Sequence, residues 1–77
     1  MSYYYSDNIQ ATATDTYTYV LKSNGTVWRH DDYSAAVLHE DIGPVTCIAG
    51  SETVLYAVTA AGYVYGWDEN IEDWQLI

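Results

Sequence analysis

Basic side chains are almost missing from this chain. Lys22 and Arg29 stand against eleven acids, giving a formal charge of −9 over 77 residues. Such a chain repels polyanions wherever the field is unscreened, so direct contact with nucleic acid or an anionic membrane is disfavoured. Phenylalanine is absent, and there is one proline, Pro44, and one cysteine, Cys47. A lone cysteine rules out an internal disulfide and a cysteine-based metal cluster. Its place in the apolar stretch Val45–Ala49 predicts a buried, inert thiol. No segment reaches the ~18 consecutive apolar residues of a helical membrane span. Met1-Ser2-Tyr3 lacks a basic region and an apolar signal core, which gives a cytoplasmic expectation.

Catalytic patterns are scarce as well. The five glycines stand singly, so nothing resembles a phosphate-binding loop. No serine has histidine and acid at a recognisable spacing. His30-Asp31-Asp32 lacks the further ligands of a zinc site, and adjacent strand residues point to opposite faces. His39, before Glu40-Asp41, reads as half of a surface ion pair. The expectation is a protein without catalysis, cofactor or metal.

What is present is a repeat. Gly25 and Gly62 are 37 residues apart, and at the same offset Thr16 pairs with Thr53, Tyr19 with Tyr56, Val27 with Val64 and Asp31 with Asp68. Similar residues fill in: Asp15 with Glu52, Leu21 with Val58, Trp28 with Tyr65, Asp32 with Glu69. A period near 37 falls in the range of stacked or radial repeats. Repeat one covers about 9–45 and repeat two about 46–77 of a single domain.

Threonine, tyrosine and valine alternate with polar residues, a period of two that marks strands. In repeat one, Ile9–Thr14, Tyr17–Lys22, Thr26–Asp31 and Ala36–His39 are predicted strands. In repeat two they are Thr46–Gly50, Leu55–Thr59, Tyr63–Asp68 and Trp74–Ile77. Ser23-Asn24-Gly25 and Ala60-Ala61-Gly62 are hairpin turns of two or three residues. Pro44, with no N–H for a ladder, belongs to the connector. Tyr3–Tyr5 reads as an additional edge strand.

The fold class is therefore all-β: two four-stranded antiparallel units per chain, of the kind that form propeller blades. Two blades leave broad apolar faces uncovered, which marks an interface. The predicted partner is a second copy, with three or four chains completing a ring of six or eight blades. A compact, non-repeating sandwich or barrel is the competing reading.

Pro44–Gly50 and Leu55–Trp67 resemble a blade of the regulator-of-chromosome-condensation repeat family, and are also similar to tectonin repeats. Gly62, Val64, Trp67 and Trp74 are the matching positions, with Gly25, Val27 and Trp28 in the first repeat. Small lectins of related design carry two blades per chain and trimerise into sugar-binding rings. In that family an arginine seven residues before the turn glycine and a glutamate four after it bind the sugar. Here those places hold Thr18 and Leu55, then Arg29 and Gly66, so neither ligand stands at its family position.

Two sets of side chains remain as candidate sites. Trp28, Arg29, Trp67, Asp68, Glu72 and Trp74 combine flat aromatic faces with hydroxyl-orienting groups, as glycan binding requires, although each tryptophan also reads as interblade core. Asp31, Asp32, Asp68, Glu69, Glu72 and Asp73 could instead form an acidic rim that attracts a basic protein. That rival reading is of a small acidic inhibitor, phage-type, imitating DNA phosphates to block a host or defence protein. A plain ring-forming scaffold is the third.

Overall fold

The computed structural model describes residues 8–77. The expected strand at Tyr3–Tyr5 lies outside the described residues. Eight strands follow in order: β1 (Asn8–Ala13), β2 (Thr18–Lys22), β3 (Val27–His30), β4 (Ala35–Val37), β5 (Val45–Gly50), β6 (Val54–Thr59), β7 (Val64–Asp68) and β8 (Asp73–Leu76). They make two antiparallel meanders, β1-β2-β3-β4 and β5-β6-β7-β8. The fold is all-β, with no helix among the described residues.

The two meanders repeat in geometry more closely than in residues. Lys22 and Thr59 close matching three-residue loops, with Gly25 N–H donating to the Lys22 carbonyl (3.0 Å) and Gly62 N–H to the Thr59 carbonyl (2.9 Å). Both glycines are left-handed, at φ +86° and +93°, the turn type in which a glycine follows a type I turn. A β-bulge falls between Asn8 and Gln10 in one sheet and between Val45 and Cys47 in the other, 37 residues on. None of those four residues is shared between copies, so the repeat lives in the backbone.

Strand limits fall close to the sequence expectation except at β4, which covers Ala35–Val37 rather than 36–39. Leu38 N–H still bonds the Val27 carbonyl, after which His39 leaves the ladder. Pro44 lies in the connector between the sheets, and its carbonyl accepts the Ala60 N–H.

The sheets pack face to face. Tyr19, Leu21, Val27 and Leu38 of the first meet Ile48, Leu55, Ala57, Trp67 and Trp74 of the second in one core. At the seam, β1 and β5 approach so closely that a Cβ on Gly50 would lie 2.2 Å from the Ala13 carbonyl oxygen. The Gln10 amide accepts from Ile48 N–H (2.9 Å) and donates to the Ile48 carbonyl (2.7 Å). It thereby stands in for a neighbouring strand. Thr12 Oγ1 accepts the Gly50 N–H at 2.9 Å.

Among the described residues, no element packs on the outer face of either sheet. On the second sheet Tyr56, Val58 and Val64 are exposed, together with Cys47. The expectation of a buried thiol is thus corrected. Cys47 alternates with Ile48, and only the Ile48 side has a sheet packed on it.

The two turn glycines differ in surroundings, which separates two costs. A Cβ at Gly25 would stand 2.8 Å from Pro44 Cβ, whereas nothing lies within 4 Å of one at Gly62. Gly62→Ala should cost about 1–2 kcal/mol, the left-handed penalty alone. Gly25→Ala should cost more, because the connector must also move. Urea-denaturation midpoints of the two variants would check this order.

Candidate functional site

A cleft of about 160 Å3 opens where β3, the end of β4 and the β7–β8 turn meet, lined by Arg29, Leu38, His39, Trp67 and Glu72 among others. Cross-strand pairing with Tyr19 puts Arg29 on the inward face of the first sheet. Its guanidinium sits 4.5 Å from the centre of the Tyr17 ring and bonds Glu72 Oε2 at 3.0 Å. That bond to Glu72 holds the Arg29 proton more tightly than usual, against a smaller opposing effect of burial. Exposed pairs of this kind add little stability. Their interest here is placement: a planar donor and a carboxylate share one cleft wall.

Glu72 is held unusually. It is the one non-glycine residue with positive φ among the described residues, at 54°. Its N–H donates to the Asp68 carbonyl at 2.8 Å, closing the β7–β8 turn. Left-handed backbone at a non-glycine residue is costly and is often found at functional sites.

Trp67 and Trp74, both sequence candidates, are packed edge to face with ring centres 5.2 Å apart, 3% and 9% exposed. Trp74 Nε1 donates to the His39 carbonyl at 2.9 Å. Trp67 Nε1 is buried with no hydrogen-bond partner. An orphaned buried donor costs ~1–3 kcal/mol, and Trp67 is also one of the residues that line the cleft. His39 packs its ring against Trp67, centres 5.7 Å apart, instead of forming the expected surface ion pair. The apolar Trp67 face offers it a contact that the neighbouring acids do not.

The other candidates lie elsewhere. Trp28 shares the outer face of the first sheet with His30, under Lys22 Nζ at 5.5 Å, and donates to Thr26 Oγ1. Asp31 is spent on its turn, accepting from Tyr33 N–H (2.9 Å) and Ser34 N–H (2.8 Å). Those bonds hold its carboxyl below the ordinary range. Asp68 and Asp73 accept from Asn70 and Trp74 N–H. Glu69 crosses between the sheets, accepting from Thr14 Oγ1 (2.7 Å) and from the Tyr19 hydroxyl. Asp32 bonds none of the described residues. No group of three metal-binding side chains occurs among the described residues.

The residues brought together are thus Arg29, Trp67 and Glu72, with Leu38 and His39 added. Nothing in the residue pattern pointed to His39 or to the pairing of Arg29 with a carboxylate 43 positions away. The tie from Glu69 to Tyr19 had a faint signal, since the acid and the tyrosine each recur 37 positions apart.

Burial, reinforced by Glu69, pushes the Tyr19 hydroxyl well above its ordinary value of 10.0. The folded state therefore keeps a proton that the unfolded chain releases near that pH. The stability from this group is whole below about pH 10 and declines as pH rises beyond it. Tyr19→Phe should be less stable at neutral pH by ~1 kcal/mol, the net value of a hydrogen bond. It should also lose less stability between pH 9 and pH 11 than the parent, as urea midpoints at each pH would show.

No protein-family model matches the chain, and no curated protein matches it.

Proposed function

We propose that the chain is a non-enzymatic binding module of propeller type that takes a glycan in the cleft between its two blades. The observation that carries this reading is the buried, unpartnered Trp67 N–H beside the Arg29–Glu72 pair. A sugar hydroxyl is both donor and acceptor. It can accept from the indole N–H or the guanidinium while donating to the carboxylate. The cleft is smaller than the ~300–1,000 Å3 of a typical small-molecule site, so it suits one sugar ring or the end of a longer chain. Trp67 contributes a donor to this site, not an open stacking face, because its ring is already sandwiched in the core.

The acidic-inhibitor reading draws on Asp31 and Asp32, which are exposed at the end of β3. It is the weaker of the two. Glu69 and Glu72 are turned into contacts with the first sheet, and the rim they would complete is interrupted.

A panel of methyl glycosides, screened by saturation-transfer NMR, tests the first reading. Arg29→Ala and Trp67→Phe should each weaken binding about tenfold, roughly one charge-assisted or buried hydrogen bond. Trp28→Ala, on the outer face, should leave it unchanged. Binding should vary little with salt. If no glycoside binds while polylysine binds with steep salt dependence, the acidic rim is the working surface.

A further inference from the structure

We infer that the bare face of the second sheet docks on the bare face of the first sheet in another copy of this chain, head to tail. This rests on the propeller-type reading of the two sheets. The support comes from carrying each interface residue 37 positions along the chain. The covered face of the first sheet, Tyr19, Leu21 and Val27, becomes Tyr56, Val58 and Val64, which form the uncovered face of the second. In the other direction, Ile48, Leu55, Ala57 and Trp74 of the covered second face become Ala11, Thr18, Val20 and Val37 on the outer first face. The packing already present within the chain therefore prescribes the next contact, and both of its halves are exposed or half-buried in the single chain.

The polar tie between the sheets carries over with its chemistry intact. Within the chain, Glu69 accepts from Tyr19 and Thr14. Shifted by one repeat, the acid is Asp32, the tyrosine is Tyr56 and the hydroxyl is Ser51. Asp32 of one copy would accept from Tyr56 and Ser51 of the next. Likewise the Asp15 N–H that bonds the Glu52 carbonyl at 3.0 Å predicts a Glu52 N–H bonded to the Asp15 carbonyl of the next copy.

Several positions do not carry over, and they set the strength of the contact: Leu38 becomes Gln75, Trp67 becomes His30, and the Arg29–Glu72 pair becomes Gly66 and Ala35. Gln10 and Thr12, which bond the β5 backbone, become Cys47 and Ala49. Gly50, where a Cβ would sit 2.2 Å from a carbonyl, becomes Ala13. The inner strands must therefore stand further apart between copies than within one. The contact between copies is the looser of the two, and it dissociates on dilution while each chain stays folded. A head-to-tail contact either closes into a ring or runs on as an open series.

The mass of the full chain by light scattering, from micromolar to millimolar, tests this. A species of three or four copies that dissociates on dilution is the expected result. Asp32→Lys and Val58→Asp, one on each side of the contact, should each raise the dissociation constant tenfold or more. Both positions are exposed, and circular dichroism would confirm that the variants fold. Ala13→Gly should tighten assembly by removing the methyl group that stands at the place of Gly50. Cys47, on the docking face, should react with a maleimide more slowly as concentration rises. A monomer at every concentration overturns the inference, as does an oligomer indifferent to both charge variants. A monomer that still binds a methyl glycoside would overturn the docking alone and leave the cleft reading in place.

Discussion

The seam between β1 and β5 is the constraint on which the molecule is built. Gly50 admits the first sheet to within reach of its backbone, and the Gln10 side chain then occupies the place of a missing strand. Edge strands are normally open to pairing with other chains. Here a side-chain amide bonds one residue of such an edge without extending the sheet, and the two meanders stack instead of merging into one. Neither has a core of its own. Among the described residues, the ten buried apolar side chains form a single cluster drawn from both halves of the chain, so each sheet is ordered by the other.

Much of this was legible in the residues, and the reason is local. Alternation and glycine placement act over two to five positions, and both hairpins follow from them. The offset of 37 then supplied the equivalence of the two sheets. Cys47 shows where such reasoning stops. Alternation identifies two apolar faces of a strand but not which one meets a neighbour. His39 shows the same limit, since its contact with Trp67 depends on where β4 ends. The cleft was half legible: Arg29, Trp67 and Glu72 were candidates by residue type. That they converge is a property of sheet stacking, which no spacing in the chain encodes.

The acid excess also looks different in three dimensions. Asp31, Asp68 and Asp73 accept backbone N–H groups at turns, and Glu69 and Glu72 cross to the first sheet. These carboxylates are structural acceptors first and surface charge second. Asp68 and Glu69 therefore belong to different roles despite being neighbours in a chain of net charge −9. Arg29, the sole arginine, touches both Tyr17 and Glu72, so its charge serves the cleft wall rather than the solvent.

Glu72 sits where glycine would be more comfortable, at a left-handed φ of 54°. Relief of that torsion is available from a one-base change in either glutamate codon, and the resulting glycine would ease the turn while silencing the carboxylate facing Arg29. A library sorted only for thermal resistance should therefore drift from glutamate to glycine at this position. One sorted for ligand capture should hold glutamate, so the two enrichments would diverge at a single site.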